Sequence, residues 1–262
     1  MDVDQESLVR LGVYGGALAL FAWLEAVAPR RVRAQPRLAR WPSNLAIAAL
    51  NTLALRIVFP TAAIGVALWA QGQGFGFFNL FDAPPWAAVL VSVIVLDLAV
   101  YAQHVAMHAA PPLWRLHRMH HADLDVDVTT GVRFHPLEIL ISMAWKMAVV
   151  AALGAPAPAV FLFEVLLNAT SLFNHANLKL PAPLDRALRL AIVTPDMHRV
   201  HHSIDRRETD SNFGFNLSVW DRLFRTYRAQ PEAGHEAMEI GLPLFRDPRE
   251  LRLDRLLTLP FR

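Results

Sequence analysis

Histidines dominate the part of this chain that could do chemistry. Ten of the eleven histidines lie between Tyr101 and Ser203. Eight of them form three clusters along the chain: His104 and His108; His117, His120 and His121; His198, His201 and His202. Residues three or four apart share a face of a helix, so each cluster would point its imidazoles in one direction. Because imidazole is the commonest metal-binding side chain, the clusters predict a polyhistidine metal centre.

His175 is a ninth candidate ligand and follows a long apolar stretch. An octahedral ion takes about six ligands, so nine imidazoles predict two ions rather than one. The chain contains no cysteine, which excludes thiolate ligands, iron–sulfur clusters and disulfides. Ligation by nitrogen alone is typical of iron, zinc, copper or nickel and argues against magnesium and calcium. The residues themselves leave the choice among those four metals open.

Polar residues near the clusters are candidates for orienting the ligands. Asp97 lies one helical turn before Tyr101 and two turns before His104, so these side chains would share a face. A carboxylate inside a membrane span is costly and has a function or a partner. Because ligating imidazoles commonly donate their second N–H to a carboxylate, we predict that Asp97 orients a ligand, with Tyr101 beside it. Further carboxylates near the clusters are Glu138, Asp196, Asp205 and Asp210.

Two histidines fall outside this set of nine. His135 stands directly before Pro136 and has two interpretations. It either faces the site or its substrate, or it marks the start of a helix, where proline is well tolerated. His235 is isolated in a polar segment and is predicted to be exposed to solvent.

The elements that would position these residues are apolar helices. Hydrophobic residues make up 54% of the chain and charged residues 18%, which is unusual for a soluble domain. We predict an all-α membrane bundle of about three spans plus a helical hairpin, with a histidine-rich helical cap. The spans are predicted at Leu8–Ala28, at about Pro42–Ala70 and at about Pro85–Ala109, and the hairpin at Leu137–Leu153 and Pro156–Phe173.

Prolines and arginines predict how the cap sits against the spans. Pro111 and Pro112 should end the third span, so that a short helix from about Leu113 folds back, and Pro195 should start another. Arginines at 30–40 predict a cytoplasmic loop by the positive-inside rule. The N-terminus would then lie outside, and the histidine clusters and the C-terminus would lie in the cytoplasm. A bacterial inner membrane is the expected location.

The chain is expected to form one domain over residues 1–262. We divide it into N-terminal membrane helices (1–84), a histidine-bearing core (85–228) and a C-terminal tail (229–262). In the tail, Pro248–Leu259 either lies in the membrane interface or packs against the cap. Arginines between residues 199 and 228 either dock an acidic electron donor, contact anionic headgroups, or form an ordinary basic face. No nucleic-acid-binding motif is present, so we expect no nucleic-acid partner.

The spacing of these residues resembles the fatty acid hydroxylase/sterol desaturase superfamily of integral-membrane di-iron oxygenases. The resemblance covers about Asp97–Tyr227, half of the chain. The matching motifs are Asp97-x3-Tyr101-x2-His104-x3-His108, Leu113-Trp114-Arg115-Leu116-His117-Arg118-Met119-His120-His121, Arg133-Phe134-His135-Pro136-x-Glu138, His175-Ala176-Asn177, Thr194-Pro195-x2-His198-x2-His201-His202, Asn212-Phe213-Gly214 and Trp220-Asp221-Arg222-Leu223-Phe224-x-Thr226-Tyr227.

This resemblance implies two iron ions held by the nine histidines, with zinc as a substitute in purified protein. It implies an enzyme that uses O2 and electrons to hydroxylate or desaturate a lipid C–H bond. No electron-carrier domain is fused to the chain, so a separate ferredoxin or cytochrome-type donor is expected. Some members carry one more histidine where this chain has Ser171. One ion would then have an open or water-filled position, or would use His135 or Asn174.

Two alternatives use the same histidines without oxygen chemistry. A zinc transporter or sensor would need polar residues along several spans, and the spans offer only Asn51, Arg56, Asp97 and Lys146. A zinc hydrolase would need an open site, a general base and a polar cleft. The clusters favour the oxygenase over both alternatives.

Overall fold

The computed structural model describes the backbone of residues 3–262 and the side chains from Leu8 onward. Over this range the chain is all-helical, without a β-strand, as the sequence predicted. The α-helices are α1 (Val3–Val27), α2 (Arg37–Val58), α3 (Ala62–Gly72), α4 (Phe77–Leu80), α5 (Pro85–Ala109), α6 (Pro111–His121), α7 (Pro136–Leu153), α8 (Ala157–His175), α9 (Ala182–Leu188), α10 (Pro195–His201), α11 (Arg206–Thr209), α12 (Val219–Leu223), α13 (Gly234–Ala237) and α14 (Leu253–Thr258). Short 3₁₀ helices occupy Val128–Val132, Pro248–Leu251 and Leu259–Phe261.

Five helical segments in the described residues are long and apolar enough to cross a membrane. They are Leu8–Val27, Arg37–Leu80, Pro85–Ala109, Pro136–Leu153 and Ala157–His175. Their outward side chains are those of a membrane protein, because large apolar residues such as Leu8 and Ile57 are 68% and 71% exposed. The bundle of three spans and a hairpin is confirmed, and the chain is a membrane protein.

The second span, predicted over about Pro42–Ala70, contains two helices. It divides into α2 and α3 around Pro60, because proline has no N–H and its ring clashes with the preceding helical turn. The other proline signals are observed as predicted. Helix α5 ends at Ala109 and α6 begins at Pro111, while α10 begins at Pro195. Each of these prolines occupies a first-turn position, where the missing N–H costs nothing.

The turn of the hairpin depends on Gly154. This residue ends α7 in the left-handed conformation, with φ of 60°. A Cβ atom there would lie 2.7 Å from Nδ2 of Asn79 and 2.9 Å from the carbonyl oxygen of Phe75. Only glycine therefore allows α7 and α8 to be joined this tightly.

Leucines of the C-terminal tail pack against the cap, as one of their two interpretations expects. Leu256 and Leu259 are fully buried in a cluster with Ile47 of α2 and Met119 of α6. Leu251 is also buried. Burial of these apolar side chains attaches the tail to the two helices that border the histidine clusters.

Arginines near the start of α2 tie the spans to the cap. The fully buried Arg40 donates to both carboxylate oxygens of Asp123 at 2.7 Å and to Asp127 at 2.5 Å. Burial alone would raise the pKa of Asp123, but Arg40 and Arg133 hold it at about 2. In the sequence, Arg40 was one of the arginines that predicted a cytoplasmic loop. In the structure it lies at the centre of a buried ion network.

A second tie involves Glu25 near the end of α1. Its carboxylate accepts hydrogen bonds from the backbone N–H groups of Val128 and Asn177, at 3.0 and 3.1 Å. It also pairs with Arg37 at 2.8 Å. These contacts hold α1 against the loops that follow α6 and α8. The two helices themselves carry candidate histidine ligands.

Candidate metal centre

Nine histidines converge at the end of the bundle where α5, α6, α8 and α10 meet. Each is at most 4% exposed. They form two groups, and within each group one nitrogen from every ring lies within 4.8 Å of the others. The five-histidine group consists of His104, His108, His117, His121 and His201, and the four-histidine group of His120, His175, His198 and His202.

Helical spacing explains how the clusters divide between the groups. Residues four apart stay together, as His117 and His121 do on α6. His198 and His202 likewise belong to one group, although His202 follows the last residue of α10. His120 lies about 100° around α6 from its neighbour and joins the other group. Each group therefore combines residues from separate clusters.

Backbone carbonyls fix the orientation of four rings. The Nδ1 atoms donate to carbonyl oxygens in the pairs His104–Phe213 at 2.7 Å, His120–Arg133 at 3.2 Å, His175–Ser171 at 2.7 Å and His201–Ser211 at 2.8 Å. A carbonyl oxygen can only accept, so Nδ1 carries the hydrogen in each neutral ring. Each Nε2 therefore presents a lone pair to the interior of its group.

Carboxylates fix two more rings of the five-histidine group. Nδ1 of His117 donates to Glu138 at 2.6 Å, and Nδ1 of His108 donates to Asp210 at 3.1 Å. Glu138 is buried in the first turn of α7, whereas the Asp210 side chain is 38% exposed and also accepts from Arg206. Carboxylates of this kind set the tautomer of metal-binding histidines and raise their basicity.

The lone pairs that face each other call for a cation between them. Nε2 of His104 lies 3.2 Å from Nε2 of His117, and Nε2 of His120 lies 3.2 Å from Nε2 of His175. Since these four rings carry their hydrogens on Nδ1, neither pair can share a hydrogen bond. Two nitrogens bound at right angles to one ion, about 2.1 Å from it, are about 3 Å apart. The donor set therefore fits two metal ions.

Further nitrogens of the four-histidine group have no hydrogen-bond partner among the described residues. They are Nδ1 of His198 and both ring nitrogens of His202. Buried polar atoms are almost always paired, so the unpartnered ring of His202, through one of its nitrogens, calls for a ligand. His198 faces the same group through Nε2, which lies 3.0 Å from Nε2 of His175. Their environment also keeps them neutral. Burial, followed by the neighbouring imidazoles, lowers the pKa of His198 and of His202 well below 6.5. Burial is also the main cause that lowers the pKa of His201 in the five-histidine group to about 3. Neutral imidazole is the form that binds metals.

Aromatic rings surround the two groups, and the sequence reasoning did not identify them. Phe134 stacks on His120 with centroids 4.4 Å apart, and Phe215 lies 5.1 Å from His104. Trp114 lies on α6 with its ring 4.8 Å from that of His108. Its position three residues before His117 placed it on the ligand-bearing face, and this spacing is the signal that could have found it.

Asp97 and Tyr101 form their hydrogen bonds with residues other than the histidines. Oδ2 of Asp97 accepts from Nε1 of Trp220 at 2.8 Å and from the N–H of Leu217 at 3.2 Å. Its hydrogen bonds thus hold the segment before and within α12 against α5. Among the described residues, the carboxylates that contact rings of the two groups are Glu138 and Asp210. Tyr101 bonds to Thr226 through its hydroxyl at 2.9 Å. Its ring is separated from the five-histidine group by that of Phe213.

His135 and Ser171 are turned away from the two groups. Nδ1 of His135 accepts from the N–H of Leu137 at 3.2 Å and caps α7, which is the helix-start interpretation. The Ser171 hydroxyl donates to the carbonyl oxygen of Gly131, and its own carbonyl orients His175. Asn174 donates through Nδ2 to the carbonyl of Phe215 at 3.1 Å.

The prediction that His235 is exposed is wrong. It is only 4% exposed and lies 3.4 Å from Asp196. The reason is a long-range contact, because Arg31 from the loop after α1 reaches the backbone carbonyls of His235 and Met238.

Comparison with known proteins assigns the family. The fatty acid hydroxylase family model matches residues 89–226, just over half of the chain, and includes all nine histidines. The chain belongs to the fatty acid hydroxylase family. Membership makes it an oxygen-dependent oxidoreductase and favours the oxygenase over the zinc-binding alternatives. No solved structure matches the chain.

Relatives in this family carry out lipid oxidation, as their names state. The chain is 29% identical over 238 residues to the ornithine lipid hydroxylase OlsE of Rhizobium tropici, covering 88% of this chain and 70% of that protein. It is 30% identical over 169 residues to the human alkylglycerol monooxygenase, covering 61% of this chain. The matched region spans only 35% of that monooxygenase. The fatty acid hydroxylase vlmA of a Lecanicillium species is 26% identical over 165 residues.

Proposed function

We propose that this chain is a membrane-bound lipid hydroxylase that uses O2 and external electrons. The observation that carries the proposal is the pair of buried histidine groups with lone pairs directed inward, at one end of an apolar helical bundle. The balanced reaction is R–H + O2 + 2 e⁻ + 2 H⁺ → R–OH + H2O. The names of the relatives support hydroxylation over desaturation.

The five-histidine and four-histidine groups would each hold one iron ion. A pair of such ions supplies the activation of O2 and the removal of hydrogen from an unactivated C–H bond. The protein keeps the rings in place through the Nδ1 contacts with carbonyls, Glu138 and Asp210. Neutral imidazoles leave the charge of the ions uncompensated, so these two carboxylates also balance part of it.

Residues around the centre exclude water from it. All nine rings are at most 4% exposed, and Phe134 and Phe215 cover parts of both groups. A dry pocket strengthens electrostatic interactions and suppresses side reactions. A lipid would reach this end of the bundle along the apolar helices, which places its C–H bonds rather than a polar headgroup beside the histidines.

The orientation, the electron donor and the domain organisation complete the proposal. The histidine end faces the cytoplasm of a bacterial inner membrane, where a separate ferredoxin or cytochrome-type protein would deliver electrons. The 1–84, 85–228 and 229–262 segments work as one unit. Supporting this, Arg40 of α2 pairs with Asp123 of the loop after α6, and Leu256 of the tail packs against Ile47.

The test is incorporation of labelled oxygen by protein purified without air and placed in lipid nanodiscs. With ¹⁸O2 and a chemical reductant, we expect a hydroxylated lipid that carries one ¹⁸O atom, together with two irons per chain. His120→Ala should abolish the product. His235→Ala is the matched control, because His235 lies outside both groups, and it should retain the product. If the protein is purified with zinc and still yields no oxidised lipid after it has been reloaded with iron, the proposal is overturned.

A further inference from the structure

Electrons must enter a centre that is closed to solvent on almost every side. All nine histidines are buried, and in the proposed reaction two electrons come from outside for every turnover. The inference below rests on that proposed function. A route for them should combine a conjugated side chain in contact with the histidines and a surface that another protein can reach.

Trp114 has both properties. It is only half-buried, and it stands at the start of α6, immediately after the end of the long span α5. Its ring centroid lies 4.8 Å from that of His108 and 5.3 Å from that of His121. A third member of the five-histidine group, His117, lies at 6.3 Å. One indole ring therefore touches three rings of one group and also reaches the surface.

A charged side chain marks the outer side of this ring. The guanidinium of Arg206 lies 4.7 Å above the Trp114 ring, a cation–π arrangement. The same side chain is 54% exposed, donates to Asp210 at 2.6 Å and reaches the carbonyl oxygen of His108 at 3.2 Å. Arg206 thus fixes the indole, the carboxylate partner of His108 and the backbone of His108 at one surface position.

Phe134 and Phe215 are also partly exposed and contact the histidines directly, but among the described residues Trp114 is the one of these three rings with a guanidinium over it. A further aromatic route from the surface is longer. Phe224 is 51% exposed and stacks on Tyr101 at 5.3 Å. Tyr101 then meets Phe213 at 6.4 Å, and Phe213 meets His108 at 5.1 Å. Three rings are needed where Trp114 needs one. The exposed residues on that side are mixed, because Leu223 is 63% exposed and Arg225 is also exposed. The number of rings therefore distinguishes the two routes.

We propose that Trp114 is the electron-entry residue of this chain and that a one-electron carrier protein of the iron–sulfur or haem class docks over Trp114 and Arg206. In each encounter the reduced carrier loses one electron and the metal pair gains one. Two encounters supply the two electrons of the reaction. Trp114 provides the electronic contact between the carrier and the rings of His108 and His121.

The absence of cysteine from the chain allows a test that needs no natural donor. Single cysteines are introduced as Arg207→Cys, beside Arg206, or as Leu223→Cys, beside Phe224; both native side chains are exposed, by 75% and 63%. A ruthenium–bipyridine photoreductant is attached to each cysteine in iron-loaded protein. A laser flash injects one electron, and transient absorption measures how fast the metal centre is reduced.

Trp114→Leu should slow injection from position 207 and leave injection from position 223 unchanged. Trp114→Phe keeps an aromatic ring, so its injection rate from position 207 should lie between the rates of Trp114→Leu and of the unaltered chain. Trp86→Leu removes a tryptophan that is 71% exposed and distant in sequence from the histidines, and it should change neither rate. Metal content is measured on every sample.

Three results would overturn the inference. Equal rates from position 207 with and without Trp114 would show that electrons take another path. An equal loss of rate from both labels together with loss of metal, in both Trp114 variants, would show that Trp114 only packs against the ligands. Failure of both labels to reduce the metal in the unaltered chain would refute the entry route, whereas a chain that forms no ¹⁸O-labelled lipid would refute the proposed function.

Discussion

Glu138 offers a sharp test of how the centre is built. Its carboxylate is 3% exposed and accepts from Nδ1 of His117 at 2.6 Å. Loss of such an outer partner typically costs about 10–100-fold in metal affinity, or about 1.4–2.7 kcal/mol. Gln is similar in shape and can still accept the hydrogen but carries no charge, so Glu138→Gln should fall near the lower limit. Glu138→Ala leaves the N–H without a partner and should approach the upper limit.

The assay is competition for iron or zinc between the protein and a chromogenic chelator. Only the binding of the ion in the five-histidine group should weaken, because His117 belongs to that group. The rings of the four-histidine group are held by separate contacts. Glu232→Gln is the matched control, since that side chain is 76% exposed, and it should bind both ions normally. Unchanged affinity in Glu138→Ala, or equal weakening of both ions, would refute the reasoning.

Three further predictions concern stability, measured as thermal unfolding in detergent. Arg40→Met should cost about 3–5 kcal/mol, because it removes the cation shared by the buried Asp123 and Asp127 and leaves Asp123 with only Arg133, at 3.5 Å. Arg249→Met, at an 82% exposed site, should be neutral, and equal unfolding temperatures of the two variants would contradict the buried network. Asp97→Ala should cost about 1–3 kcal/mol for each donor left unpaired without changing the metal content, and loss of metal would restore its predicted role at the ligands. Gly154→Ala should cost about 1–2 kcal/mol, since φ is 60° there, and an unaltered unfolding temperature would show that the hairpin turn can rearrange.

Local chemistry made the helices and their ends predictable. Proline at Pro111 and Pro195 restricts its own backbone whatever surrounds it, so the helix starts could be derived from sequence. The long apolar runs likewise predict spans because length and composition are properties of the run itself. The same locality explains why His117 and His121 could be assigned to one face.

Long-range packing made the remaining features unpredictable. Asp97 was expected to serve a neighbouring histidine, but its partner Trp220 lies 123 residues away. His235 was expected in solvent because nothing near it in sequence indicates the contact from Arg31. The assignment of His120 to the group of His175 depends on how α6 and α8 approach each other, which spacing within one helix does not contain.

X-ray absorption of the purified, metal-loaded protein counts the metal ions and identifies their ligands. We expect two metal ions per chain, each with nitrogen and oxygen neighbours at about 2.1 Å, strong imidazole scattering and no sulfur. His202→Ala should weaken or remove the ion of the four-histidine group and leave the other. A single ion per chain, or a spectrum with few imidazole ligands, would contradict the claim that these nine histidines enclose a pair of metals.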